Sequence, residues 1–123
     1  MDYMLLIVEP PDQRQQRSEA QGRKAYDDML GFAAELQREG RLQAAQSLKS
    51  LKSAARVTRQ SGKTQVLDGP FAEAKEMIGG FFLVNCESRA EALAIAARCP
   101  ASAWCTVEVR ELGPCFDDSI GQG

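Results

Sequence analysis

"MIGGFFLVNCE", residues 77–87, is the stretch whose reading decides the fold. Side chains alternate across a strand, so Phe81 and Leu83 fall on one face and Phe82, Val84 and Cys86 on the other. Both sets are apolar, which predicts a strand buried on two sides. The preceding Gly79 and Gly80 predict a bulge or a close approach of backbones. They lead into a strand rather than a helix N-terminus, which argues against a phosphate-binding loop. "DYMLLIVE", residues 2–9, has the same two-faced character. Tyr3, Leu5 and Ile7 form one set, Met4, Leu6 and Val8 the other, and Pro10 and Pro11 end the run.

Between these strands the period changes. Ser18 and Gln21 have capping-box spacing. Tyr26, Met29, Leu30, Ala33 and Leu36 then recur at helical intervals as one apolar stripe, and Gly40 supplies a stop. The segment from Arg41 to Ser53 admits a short strand near Leu42 to Leu48. "AARVTRQSGKTQVLDG", residues 54–69, reads as a hairpin with Ser61-Gly62 as its turn. That register pairs Thr64 with Arg59, Val66 with Val57 and Asp68 with Ala55. It puts Asp68 on the more apolar side, whereas a three-residue loop would reverse this. A second capping box, Ser88 to Glu91, opens a helix through Ala97, which Pro100 closes. "AWCTVEVREL", residues 103–112, is the last strand, with Cys105, Val107 and Val109 alternating against Thr106, Glu108 and Arg110.

This order predicts an α+β fold with two helices on one face of an antiparallel sheet. Two helices cover one face only, while the central strands are apolar on both. A second copy of the chain is expected to cover the other face, as a homodimer. The domain is read over residues 1–112, with a flexible C-terminal tail over residues 113–123 that has little to bury.

Composition narrows the function. The chain has 123 residues, one ordinary domain, with 44% hydrophobic and 26% charged residues. Its net charge of −2 argues against a dedicated nucleic-acid binder. No run approaches a membrane span, and the apolar start lacks a basic leader. Four cysteines, Cys86, Cys99, Cys105 and Cys115, contain no Cys-x-x-Cys pair, and the chain has no histidine. No metal site and no cofactor are expected from that inventory, and reduced thiols suit a cytoplasmic protein. A histidine-dependent triad or dyad is excluded within one chain.

Chemistry then rests on "VLDGPFAEAKEMIGG", residues 66–80. Asp68 before Gly69 is a favoured turn residue, its carboxylate accepting from nearby backbone N–H groups. Beside an apolar cavity the same acid would lose solvent and become a proton shuttle, so Asp68 is also the candidate general acid–base. Gly69, Pro70, Phe71, Glu73, Lys75 and Glu76 are the candidate ligand-binding residues; the charged three otherwise read as a solvated turn. Six cations and no acid lie between Arg41 and Lys63, an edge that discourages aggregation or docks an acidic partner or nucleic acid, although no aromatic residue there supports base stacking. Trp104, Phe81, Phe82 and Tyr3 are candidates for the core, a dimer interface or a cavity wall.

The pieces "YMLLIVE", "VLDGPFAEAKEMIGGFFLV", a capped helix and "VEVREL" resemble, in order and spacing, the YCII-related proteins, in the branch marked by the Asp-Gly-Pro-Phe motif. The resemblance runs from Asp2 to Leu112. It implies a ferredoxin-like fold that dimerises into an α/β barrel. It also implies a gene setting beside sigma factors of the extracytoplasmic-function type. Some members of the wider superfamily are enzymes, including a dehydrochlorinase with a His-Asp pair. Asp68 matches that acid, and no residue matches the histidine. Ala74 stands where the branch commonly has threonine. Three functions stay open: a small cytoplasmic homodimer that binds a small-molecule ligand or regulates, an enzyme acting through Asp68 on a small organic molecule, and an accessory protein of a sigma factor.

Overall fold

The computed structural model describes residues 1–118, and its two central strands are the two apolar runs. The elements are β1 (Asp2–Glu9), α1 (Glu19–Arg38), β2 (Leu42–Ser47), β3 (Ala55–Gln60), β4 (Lys63–Asp68), β5 (Met77–Asn85), α2 (Arg89–Arg98) and β6 (Thr106–Glu111). Four strands form one antiparallel sheet in the order β2-β5-β1-β6, and β3 and β4 form a separate two-stranded sheet. With two helices, this α+β arrangement is consistent with a ferredoxin-like fold carrying an inserted hairpin. Among the described residues, no helix is long and apolar enough to cross a membrane.

Local chemistry sets the element ends. Ser18 Oγ accepts from the Gln21 N–H at 3.1 Å, and Gln21 Oε1 accepts from the Ser18 N–H at 2.9 Å, so the expected capping box is complete. At the other end of α1, the Arg41 N–H reaches Leu36 O and the Gly40 N–H reaches Gln37 O, at 2.9 and 3.0 Å. These two bonds, with Gly40 at φ 73°, make a Schellman closure. The second box is only half formed. Ser88 Oγ accepts from the Glu91 N–H at 3.1 Å, but the Glu91 side chain forms an ion pair with Arg41, which holds α2 to the end of α1.

The core lies between the helices and one face of the sheet. Tyr3, Leu5, Ile7, Phe82 and Val84 are buried against Phe32, Leu36, Ala92 and Ile95. Phe32 meets Phe82 edge-on, with centroids 5.2 Å apart. Met4, Leu6, Phe81 and Leu83 point the other way and are half-buried, as the alternation requires. The apolar stripe of α1 divides: Leu36 is buried as expected, whereas Tyr26 and Leu30 are 53% and 51% exposed. Phe32, outside that stripe, supplies the main contact of α1 with the sheet.

The hairpin has the expected register, Ala55 opposite Asp68, Val57 opposite Val66 and Arg59 opposite Thr64. Its turn is Ser61-Gly62, both at positive φ, 50° and 77°, as a two-residue turn of the right twist demands. Every residue of both strands is exposed. At the C-terminus, Cys115–Asp118 make a short 3₁₀ turn. The rest of the expected tail, residues 119–123, lies outside the described residues.

Candidate functional site

The N-terminal half of α1 does not close onto the sheet. A cavity of about 630 Å³ lies there, walled by Ile7, Met29, Leu30, Ala33, Phe82 and Trp104 among others. Tyr26 and Leu30 are exposed because they face this space rather than a neighbour. A cavity of this size, apolar with a few polar groups, has the make-up of a small-molecule site.

Its polar wall is built on the end of β1. Glu9 is the last residue of that strand and is only 4% exposed. After the two prolines the chain turns back and brings Arg14 over it. Arg14 Nε donates to Glu9 Oε1 at 2.5 Å, Nη1 to Leu48 O at 2.7 Å and Nη2 to Gly79 O at 3.1 Å. All three nitrogens of the guanidinium are thus engaged, and the buried carboxylate has its counter-charge. Among the described residues only Oε1 of Glu9 receives a hydrogen bond, so Oε2 is left for a donor within the cavity.

Gly79 makes room for this pair. It is the extra residue of a bulge in β5, where the register shifts between Ile7 and Val8. A Cβ at Gly79 would lie 2.5 Å from Glu9 Oε2 and 2.7 Å from Arg14 Nη2. The expected bulge and the expected close approach therefore occur together. The approaching groups are the Glu9 and Arg14 side chains.

Trp104 is held on the opposite side. Gln13 Nε2 donates to Trp104 O at 2.6 Å, and the Arg17 guanidinium lies over the indole, 5.6 Å from its centroid. Cys105 follows. Burial, reinforced by the negative charge of Glu9, pushes its thiol from an ordinary 9.0 up to about 11. It is therefore a protonated thiol at neutral pH, not a nucleophile. Burial likewise raises the thiols of Cys86 and Cys99. Among the described residues, no three acidic, cysteine or histidine side chains gather as a metal site.

The residues singled out in the sequence lie elsewhere. Asp68 ends β4 and is exposed, and it lines neither this cavity nor a second of about 140 Å³. The Gly69 N–H donates to Ala54 O at 2.7 Å, pinning the base of the hairpin. Pro70 and Phe71 border the smaller cavity with Pro11, Asp12, Gln15, Ser50, Leu51 and Lys52. Phe71 is buried under the Arg56 guanidinium, 3.8 Å from the ring centroid, and Arg56 pairs with Glu73 at 3.3 Å. Lys75 and Glu76 are exposed. The structure thus joins Phe71 and Glu73 through Arg56 and leaves Asp68, Lys75 and Glu76 apart from both cavities.

Sequence reasoning passed over Glu9, Arg14 and Arg17. A signal existed: Glu9 is a carboxylate ending a strand apolar on both faces, and two arginines follow within eight residues. Their convergence depends on the turn after Pro11, which periodicity does not describe.

Comparison with known proteins adds two findings. The family model described as the YCII-related domain matches residues 1–115. A protein of Rhizobium meliloti (strain 1021), itself described as uncharacterized, is 50% identical over 44 residues. That stretch spans 36% of this chain and 36% of the relative.

Proposed function

This chain belongs to the YCII-related family, and we propose that it is a small-molecule-binding protein whose ligand occupies the cavity between α1 and the sheet. The observation that carries this is Glu9. A carboxylate that is 4% exposed is costly to bury, and this one stands at the wall of an apolar cavity with one oxygen undonated. A site for a largely apolar molecule with one hydrogen-bond donor has this form. Asp68-Gly69-Pro70-Phe71 supports placement in the branch marked by that motif.

An enzymatic reading has one observation in its favour, the same Glu9. It is the buried carboxylate of the cavity wall, and its second oxygen is open to accept a proton. Participation of Asp68 requires something further to cover the hairpin, because it is exposed and lines neither of the two cavities described above. A homodimer is part of the proposal: Met4, Leu6, Phe81 and Leu83 form an apolar sheet face that the helices leave uncovered.

Trp104, the single tryptophan, lines the cavity and reports on it. Titration with N-phenyl-naphthylamine, a neutral apolar probe, is expected to give saturable energy transfer from Trp104 at one probe per chain. Ala33→Phe, which fills the cavity wall, should abolish it. No saturable binding, or a signal that survives Ala33→Phe, would sink the proposal.

A further inference from the structure

The charges around the cavity point to a ligand class. Five charged residues line it: Arg14, Arg17 and Arg23 against Glu9 and Glu19. Two of the arginines are spoken for. Arg14 is bound to Glu9, and Arg23 pairs with Glu19 at 2.9 Å. Arg17 has only a neutral hydrogen-bond acceptor, Gln13 Oε1 at 3.4 Å, and forms no ion pair among the described residues. Its guanidinium instead lies over the face of Trp104, 5.6 Å from the ring centroid, a contact that leaves its charge without a counter-ion. In a chain of net charge −2, the cavity therefore carries an excess of one positive charge, and it resides on the arginine over Trp104.

We propose that the ligand is a small amphiphilic monocarboxylic acid that also carries one hydroxyl or N–H, its apolar or aromatic body against Ile7, Met29 and Leu30, its carboxylate on Arg17 and its donor on Glu9 Oε2. The proposal rests on the cavity being a binding site. A guanidinium offers a carboxylate two parallel N–H donors, and a fixed plane makes that fork selective. A single uncompensated cation suits a single negative charge. A phosphate dianion would find one arginine without a counter-charge and keep its second charge unmatched. A cationic ligand would find both glutamates already paired.

The test displaces the neutral probe with phenylbutyrate and with phenylbutyramide, which share a body and differ in charge. In the wild-type protein the acid is expected to compete about tenfold more strongly than the amide, the size of one charge-assisted contact. Arg17→Met should erase that preference whatever its effect on the affinity for the probe itself, and a thermal melt followed by circular dichroism shows that the variant is folded. Arg17→Lys should keep part of it, because the charge remains while the fork and the stack are lost. Equal competition by acid and amide, with the probe bound normally, overturns the anion assignment and leaves the cavity reading standing. A preference that survives Arg17→Met overturns the role of Arg17. Failure of the probe to bind the wild-type protein removes both readings. The wild-type comparison needs no variant, so a misfolded Arg17→Met does not rescue the idea.

Discussion

Glu9 and Arg14 show how much of a site depends on single side chains. The Glu9 side chain is 5% exposed and that of Arg14 30%, so the two partners of this ion pair are not equivalent. Removing the arginine strands a buried carboxylate and takes the guanidinium donor from the Leu48 carbonyl, while Gly79 O keeps the Leu48 N–H. Removing the carboxylate charge leaves a guanidinium that still has those carbonyls and some water. Arg14→Met is therefore expected to cost about 3 kcal/mol of stability, and Glu9→Gln about 1 kcal/mol. Urea denaturation of the two variants checks this, and equal or reversed losses would contradict the burial argument. Neither residue stands out in sequence, where Glu9 reads as the polar end of a strand and Arg14 as part of a charged connection.

At the scale of elements, local signals were read well where the chain is short-range in its contacts. Both N-caps, the Gly40 stop and the hairpin register are decided by neighbours within a few residues, and all four appear in the structure. The packing of the hairpin was not legible in this way. Its alternation places Asp68 beside Val57 and Val66, yet both faces of both strands face solvent, so the more apolar side is not a buried one. An element with no buried residue should open independently of the core. Gly62 sits at φ 77°, where an alanine is strained by about 1 kcal/mol. Gly62→Ala is thus expected to speed amide exchange in β3 and β4 with little change in the global melting temperature. A melting temperature lowered as much as by a core substitution would show that the hairpin and the main sheet unfold as one unit.

For the whole molecule, the two-faced strands leave one question to association. One face of the sheet is buried under α1 and α2, and the other carries half-buried Met4, Leu6, Phe81 and Leu83. The proposed homodimer covers that second face. Light scattering at micromolar concentration is expected to give twice the chain mass, and Leu83→Lys should shift it to the monomer by placing an unpaired charge in the interface. A wild-type monomer would contradict the proposal. The large cavity is bordered by Ile7 and Phe82 on the helix side and also by Phe81 of the second face, so the proposed dimer reaches its edge.

Composition and periodicity were sufficient for the α+β class, the two helices, the two-faced central strands and the absence of histidine chemistry. Each of these depends on residue type and on spacing along a few turns or pleats, which are properties of the chain itself. The ion pair of Arg14 with Glu9, the placing of Arg17 over Trp104 and the exposure of Tyr26 and Leu30 needed the folded molecule. They join residues from β1, α1 and the segment before β6, brought together by a turn and by sheet packing whose geometry no period encodes. The Asp-Gly-Pro-Phe segment was prominent because its residues are consecutive. The cavity was hidden because its residues are not.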